Sequence, residues 1–214
     1  MSTVAQQQAK LLGEHMVSVL EKNNFTATYV DTKEEVLDQL LKLIPTGVSV
    51  GFAGSMTVKA TGIEAVLKDR GNTIIDHGDP TLSPEEKNKA RHDELSCHTF
   101  LTSTNALTQK GELVNIDGSG NRVSAMIFGP KQTILIVGIN KIVPTLDAAM
   151  ERIHQWAAPM NNIRIGTGNP CTKVGFCVDC ASPKRICNVT TIINRNPSGG
   201  SHLHVLIVGE SLGY

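Results

Sequence analysis

A chain of 214 residues with a 40% apolar share can bury one ordinary core, and because only 4% of its residues are aromatic, that core must be aliphatic. Twenty basic side chains balance twenty acidic ones, and the pI is near 7.0. The chain therefore has no excess of basic residues of the kind that binds nucleic acid. No signal-peptide pattern and no apolar run near the roughly 20 residues of a membrane span is present. We expect a cytoplasmic protein without nucleic-acid or membrane partners, whose cysteines are thiols or metal ligands.

The first 45 residues alternate between helical and strand periodicity. Apolar side chains at helical spacing predict two helices, and a short run rich in β-forming residues between them predicts a strand. These elements are a helix over residues 4–22, a strand over residues 26–30 and a helix over residues 33–44. We interpret residues 1–45 as a lead-in packed on the core, and residues 46–214 as an α/β domain that includes a cysteine-rich segment at 166–188.

A glycine-containing turn follows the next predicted strand, residues 47–52. The turn contains Gly54, Ser55 and Thr57, and a helix is predicted after it over residues 58–70. A strand, a tight turn and a helix start direct free backbone N–H groups at an anion, and the two hydroxyls would add hydrogen bonds. The alternative is that Gly54 only permits the turn, while Ser55 or Thr57 caps the helix.

Further strands lead to the middle of the chain. Short strands are predicted over residues 72–75 and 97–102, with a helix between them that begins with a serine cap and a proline. Asn105 lies just beyond the carboxyl end of the second of these strands. Polar groups at such an end are available to a ligand.

Residues 104–140 hold the densest group of polar side chains. A short strand over residues 112–116 breaks at an Asp-Gly-Ser-Gly turn, and a buried strand is predicted over residues 133–137. Loops beyond the strand ends of a parallel or mixed α/β sheet bind ligands, because rigid strands position them. We therefore predict one ligand-binding rim made of Gly54, Ser55, Thr57, Asn105, Asn115, Asp117, Gly118, Gly120, Asn121 and Arg122. The alternative is a β-hairpin, for which Asp-Gly between two strands is the usual signal.

The carboxyl-terminal part of the chain contains a further helix and closing strands. Helical spacing predicts one helix over residues 144–158, with Trp156, the single tryptophan, as a core anchor. A closing strand is predicted over residues 204–208. His202 and His204 lie two residues apart and share one face, which we expect to be an exposed edge.

Four cysteines lie within 17 residues in a segment without clear periodicity. Cys171, Cys177, Cys180 and Cys187 are spaced C-x5-C-x2-C-x6-C, and the segment has too few large apolar residues to fold unaided. The central pair has the spacing with which two thiolates reach one metal from a tight turn. The alternatives are small buried hydrophobes or redox-sensitive thiols. We predict one metal centre on the four cysteines, with zinc and a [4Fe–4S] cluster both open.

A family resemblance is carried by the stretches F-L-T-S-T-N-A-L-T, E-L-V-N-I-D-G-S-G-N-R-V-S-A-M-I-F-G-P-K and I-V-G-I-N-K-I-V. These stretches resemble the LUD-domain family, the LutC/YkgG-like lactate-utilisation proteins. The likeness covers residues 47–141 and resumes in V-L-I-V-G-E-S-L-G. It implies a three-layer α/β/α fold like that of NagB, RpiA and the CoA transferases, with an N-terminal helical lead-in. Proteins of that fold use the loop at Gly54 for a ligand phosphate or carboxylate.

Three functions follow from the resemblance and the residues. The first is a component of lactate or related 2-hydroxy-acid utilisation that binds a small carboxylate or phosphate-bearing ligand between the glycine-containing loops. The second is an isomerase- or transferase-type enzyme acting on a sugar phosphate or acyl-CoA. A CoA transferase needs a glutamate nucleophile, and Lys59 and Ala60 stand where many LUD sequences carry an acidic residue. The third is a non-catalytic module that docks on an iron–sulfur partner of lactate oxidation; the substrate and the oligomeric state stay open.

Overall fold

The computed structural model describes residues 3–214, which form a six-stranded and a four-stranded β-sheet with flanking helices. In chain order the strands are β1 (Thr26–Val30), β2 (Ser49–Phe52), β3 (Thr73–Asp76), β4 (Thr99–Thr102), β5 (Ala106–Thr108), β6 (Leu113–Asp117), β7 (Gln132–Gly138), β8 (Ile142–Val143), β9 (Val189–Ile193) and β10 (His202–Val208). The helices are α1 (Val4–Lys22), α2 (Lys33–Leu43), α3 (Met56–Lys59), α4 (Ile63–Asp69), α5 (Pro84–Asp93), α6 (Asn121–Ile127), α7 (Leu146–Arg152), α8 (Ala158–Ile165) and α9 (Cys171–Val174). None of the helices in these residues combines the length and apolarity needed to cross a membrane.

The larger sheet, called the main sheet below, is parallel throughout. Its strand order is β1-β10-β7-β4-β2-β3. The smaller sheet has the order β8-β5-β6-β9, with β6 antiparallel to both of its neighbours and β8 parallel to β5. Helices cover both faces of the main sheet, which confirms the predicted three-layer α/β/α class. Strand β1 of the lead-in pairs with β10 and is the edge strand of this sheet.

Strands β7 and β10 lie inside the main sheet because their apolar runs can be buried on both faces. Successive side chains of a strand point to opposite faces. On one face, Ile136 packs in a cluster with Leu40 of α2, and on the other face Leu135 packs in a cluster with Met16 of α1. Each side chain of this size contributes about 1.5–3 kcal/mol when fully buried. Two aliphatic cores therefore hold the sheet in place from both sides.

Glycines change the course of the chain at two predicted elements. The helix predicted over residues 58–70 is instead two helices, α3 and α4, with Gly62 between them at φ +67°, a conformation that favours glycine. The Asp-Gly turn after β6 leads into α6 and not into a hairpin strand, so the hairpin interpretation is wrong. Gly120 at the start of α6 has φ +83° and makes this sharp change of direction.

The helix predicted over residues 144–158 is longer and is interrupted. It runs through α7 and α8, with one π turn between them in which the N–H of Ala158 bonds to the carbonyl of Ile153. Pro159 explains the interruption, because it has no N–H and its ring clashes with a regular helical carbonyl. Trp156 lies on this turn and is 59% exposed, so the prediction that it anchors the core is wrong.

Strand β10 is an interior strand, although it is the last strand along the chain. It pairs with β1 on one side and β7 on the other. His204 is consequently buried, and its Nε2 lies 2.9 Å from Thr28 Oγ1. Burial lowers the pKa of His204 to about 4, with a smaller contribution from His202. His202, at the start of β10, is exposed as expected. The expectation is wrong for His204, and β10 is not a sheet edge.

Candidate functional site

A cleft of about 550 Å³ lies at the carboxyl edge of the main sheet. The loops after the neighbouring strands β2, β4 and β7 meet there, because parallel strands end at the same edge, and the loop after β6 joins them. Of the predicted rim residues, those that line the cleft are Gly54, Ser55, Thr57, Asn105, Asp117, Gly118, Asn121 and Arg122. Asn115 is fully buried and Gly120 forms the start of α6. The structure thus brings most of these residues together, while their binding of a ligand stays a prediction.

Arg122 is the centre of a hydrogen-bond network that holds the cleft loops together. Its guanidinium donates from Nε to Asp117 Oδ1 at 2.8 Å and from Nη1 to Asn115 Oδ1 at 2.7 Å. Further bonds reach Asn105 Oδ1 at 3.1 Å and the carbonyl of Ser103 at 3.0 Å. These polar groups are directed at one another, so their observed role is to fix the loops in position.

Ser55 and Thr57 have different roles at the glycine-containing turn. Ser55 Oγ accepts the N–H of Val58 at 3.4 Å, so Ser55 caps α3. Thr57 is buried, and its hydroxyl donates to the carbonyl of Leu212 at 3.3 Å while accepting a bond from Lys141 Nζ at 2.9 Å. Thr57 therefore joins the loop after β2 both to the segment after β10 and to a buried lysine.

Lys141 lies in the cleft but was not predicted from the sequence. Its side chain comes from the short 3-10 turn after β7 and is only 3% exposed. Besides Thr57, the ammonium group donates to Ser103 Oγ at 2.9 Å and to the carbonyl of Thr104 at 3.3 Å. The available signal was its position just beyond a mostly apolar strand, at the edge where Asn105 was also expected.

The environment of Lys141 changes its acidity. Burial, with smaller contributions from the charges of Arg152 and Arg122, lowers the pKa of Lys141 to about 7 from its ordinary value of 10.5. None of the three hydrogen-bond partners of its ammonium group is a carboxylate that would oppose this effect. An amine with such a pKa gains or loses a proton near neutral pH, which is typical of functional sites.

Cations dominate the wall of the cleft. Among the described residues that line it, there are six lysine and arginine side chains and one carboxylate, Asp117, which lies 2.6 Å from Arg122 Nη2. The six cations are Lys59, Lys87, Arg91, Arg122, Lys141 and Arg164. Positive charge concentrated in a concave site attracts an anionic ligand.

A buried glutamate lies next to the cleft. His77 lines the cleft, and its Nδ1 is 2.6 Å from Oε1 of Glu94, which is 1% exposed. Together with Asp76, these residues offer three ligand-type atoms within 4.8 Å of one another. No glutamate is found among the described residues that line the cleft itself. The cleft therefore lacks, within residues 3–214, the nucleophile that a CoA transferase requires.

The four cysteines of the carboxyl-terminal segment line a second, partly open cavity with a volume of about 20 Å³. Cys171 begins α9, Cys177 and Cys180 lie in the following turn, and Cys187 precedes β9. All four are free thiols. Burial, and then the thiols of Cys180 and Cys177, raise the pKa of Cys171; burial and Cys177 raise the pKa of Cys187. The thiols are thus close enough to influence one another's ionisation.

The fold and the cleft define a class of protein: a three-layer α/β domain with a cation-lined cleft at the carboxyl edge of a parallel sheet. The sequence model of the LUD domain matches residues 13–208, which is most of the chain. The chain therefore belongs to the LUD domain family, a family associated with lactate utilisation. This match confirms the resemblance seen in the sequence.

A solved structure shows the same fold. The crystal structure of a DUF162 family protein from Deinococcus radiodurans, at 1.70 Å resolution, is similar with a TM-score of 0.53 and 15% sequence identity. The likeness covers 96% of this chain and 99% of that chain. At this identity the comparison supports the fold alone. No curated protein matches the sequence.

Proposed function

We propose that this LUD-domain protein binds a small carboxylate or phosphate-bearing anion in the cleft, as a component of lactate or related 2-hydroxy-acid utilisation. The observation that carries the proposal is the cleft wall, where five lysine and arginine side chains, besides the titrating Lys141, face one carboxylate that is already paired. The association of the family with lactate utilisation supports the assignment to this metabolism.

Three of the cations are available to a ligand. Lys59, Lys87 and Arg91 line the cleft, and none of them has a carboxylate partner within 4.0 Å among residues 3–214. Arginine offers a planar fork that matches a carboxylate or phosphate, and lysine offers a compact charge. A bound anion would supply the counter-charge that the protein does not provide here.

The size of the cleft favours a ligand larger than lactate. Its volume of about 550 Å³ is within the range of small-molecule sites, which is roughly 300–1,000 Å³. Lactate has only a few heavy atoms and would fill a small part of this space. A phosphate-bearing ligand would contact more than one of the cation-bearing walls at once.

Titration with lactate, inorganic phosphate and CoA tests the proposal by thermal unfolding and calorimetry. A ligand at 100 times its dissociation constant should stabilise the protein by roughly 2.7 kcal/mol. We expect stabilisation by at least one of these anions, and we expect it to weaken with added salt because exposed charges are screened. Lys87→Ala should weaken binding, and Lys110→Ala, which removes an exposed charge outside the cleft, should not. The proposal is wrong if none of the three anions stabilises the folded protein.

A second candidate function, an isomerase-type enzyme acting on a sugar phosphate, is favoured by Lys141. An amine with a pKa near 7 can remove a proton from carbon and return it elsewhere, and Lys141 lines the cleft. Incubation with sugar phosphates in deuterated water, followed by NMR, would detect exchange of a carbon-bound proton. Exchange that is lost in Lys141→Met but kept in Lys110→Met would support an enzyme. Its absence with every sugar phosphate would leave anion binding as the function.

A further inference from the structure

We propose that Cys171, Cys177, Cys180 and Cys187 bind one [4Fe–4S] cluster. The site is separate from the proposed anion cleft, because none of the cleft-lining residues supplies a thiol ligand. The proposal is carried by the convergence of the four thiols, by the hydrogen bonds that position two of them, and by the spacing of their sulfur atoms.

The four cysteines reach one cavity from three places along the segment. Apart from the cysteines, four apolar residues line it, Ala158, Pro159, Val178 and Ile186, together with Asn162, Asn169 and Arg185. Apolar residues around a bound metal centre keep water away from it and control its dielectric environment. Four thiols are the ligand set that iron–sulfur clusters use.

Ordinary hydrophobic packing does not explain this arrangement. The segment contains larger apolar side chains that would fill a core better than cysteine does. However, Val174, Phe176 and Val178 remain 51%, 48% and 45% exposed, while Cys171 is buried and the other three thiols are partly buried. The chain directs its sulfur atoms inward in preference to its bulkiest apolar groups, as expected of ligands.

A tight turn presents Cys177 and Cys180 to the cavity. The N–H of Asp179 donates to Cys177 Sγ at 3.4 Å, and Asp179 has φ +46°, in the left-handed region. A backbone N–H directed at a sulfur atom orients that atom. Aspartate is one of the few non-glycine residues that adopt this conformation readily. The bond fixes the direction of Cys177 Sγ in a segment whose two cysteines line the cavity.

Arg185 links the two halves of the segment. Its guanidinium donates to the carbonyls of Cys187 at 3.0 Å and Cys180 at 2.7 Å, and to the carboxylate of Asp179 at 2.9 Å. Four thiolates on one cluster leave a net negative charge, which is costly next to apolar side chains unless a cation lies nearby. Arg185 lines the cavity and provides that cation.

The spacing of the sulfur atoms favours a cluster over zinc. Within residues 3–214, Asp76, His77 and Glu94 are the one set of three or more ligand atoms that all lie within 4.8 Å of one another. Every set of three of the cysteine sulfurs therefore contains at least one pair that is more than 4.8 Å apart. One zinc ion, with Zn–S bonds of about 2.3 Å, would draw its sulfurs to within roughly 4 Å of each other. In a [4Fe–4S] cluster each thiolate binds a different iron atom, which separates the four sulfurs further.

The cysteine segment also forms part of the cleft wall. Ile186 lines both cavities. The backbone N–H of Asn188 donates to the carbonyl of Asp117 at 2.9 Å, and its side chain donates to the carbonyl of Gly118 at 3.1 Å. Loss of the cluster should therefore loosen the wall around Gly118 while the two aliphatic cores stay folded.

Anaerobic purification of the full chain, followed by reconstitution with ferrous iron and sulfide, tests the proposal. We expect about four iron and four sulfide per chain, and a brown absorbance near roughly 400 nm that decreases on reduction with dithionite. Cys177→Ser combined with Cys180→Ser should reduce iron content about tenfold or more. Circular dichroism should show that the α/β core stays folded. If the double variant is unfolded, Cys171→Ser alone should show the same loss of iron.

Cys97→Ser provides the matched control. Cys97 is the fifth cysteine and is also buried, but it packs with Phe100 and Ala125 in a different cluster, so this variant should keep its iron. One equivalent of colourless zinc would overturn the cluster assignment. Metal-free protein with disulfides among the four cysteines, or equal iron content in the double variant and the wild type, would overturn the metal site altogether.

Discussion

The cleft and the cysteine segment, residues 166–188, are adjacent regions that are stabilised in different ways. The cleft loops follow buried strands and are joined by the side chains of Arg122 and Lys141. The cysteine segment has one four-residue helix and leaves Val174, Phe176 and Val178 about half exposed. A loop between two buried strands is held rigid by those strands and needs few further contacts. A segment without flanking strands needs a cross-link to be rigid, and the proposed cluster would supply one.

The largest expected effect tests the network in the cleft. Arg122→Leu removes the cation that pairs with the nearly buried Asp117 carboxylate and leaves it with one backbone N–H donor, from Val123. This change should lower the free energy of unfolding by about 3–5 kcal/mol. Urea unfolding measures this change. Arg195→Leu, at an exposed position, is the control and should change stability by less than about 0.5 kcal/mol. Similar stability of the two variants would show that the network does not hold the loops.

Lys141 should make the stability of the protein depend on pH. Its pKa is about 7 in the folded protein and 10.5 ordinarily, so between these values the unfolded chain binds the additional proton. Stability should therefore rise with pH across this window, with a slope of at most about 1.4 kcal/mol per pH unit. Lys141→Met removes this contribution. Urea unfolding from pH 7 to pH 10 compares the two proteins, and parallel curves would mean that the amine titrates normally.

Alanine substitution of one glycine in each region compares how tightly the two regions are packed. Gly213, at φ +63°, faces Thr57, and a Cβ there would lie 2.4 Å from Thr57 Oγ1. Gly175 in the cysteine segment has φ +85°, but a Cβ there would meet nothing within 4 Å. Both alanine variants carry backbone strain of roughly 1 kcal/mol, and Gly213→Ala should cost about 1 kcal/mol more because of the contact. Thermal unfolding should rank them in that order, and the reverse order would contradict a packed cleft.

The smallest expected effect concerns Arg185. Its partner Asp179 is 87% exposed, so Arg185→Leu in metal-free protein should lower the free energy of unfolding only slightly. The same variant should retain less iron after reconstitution, because the carbonyls of Cys180 and Cys187 lose their shared donor. Urea unfolding and iron analysis measure the two effects. A loss of stability as large as that of Arg122→Leu would remove the proposed contrast between the regions.

Part of the cleft was predictable because of a local rule. Gly54 and Asn105 each follow a strand of the main sheet, and residues in that position collect at one edge of a parallel sheet. Asp117 instead ends β6 of the smaller sheet, and the loop after β6 joins the same cleft. Lys141 satisfies the same rule, but its sequence gives no sign of its burial. That burial arises because the loops after β2 and β4 bring Thr57 and the carbonyl of Thr104 to its ammonium group. The directions of the Arg122 hydrogen bonds were likewise not predictable.

The sequence by itself determined the α/β class, most of the helices and strands, and the family, because periodicity, apolar runs and motifs are local properties of the chain. Tertiary structure decided the strand order. Strand β10 lies between β1 and β7, which buries His204, and Trp156 is exposed on a π turn next to Pro159. Which strands become neighbours depends on how the two faces of the sheet pack against the helices, and this long-range pairing leaves no signal in the local pattern.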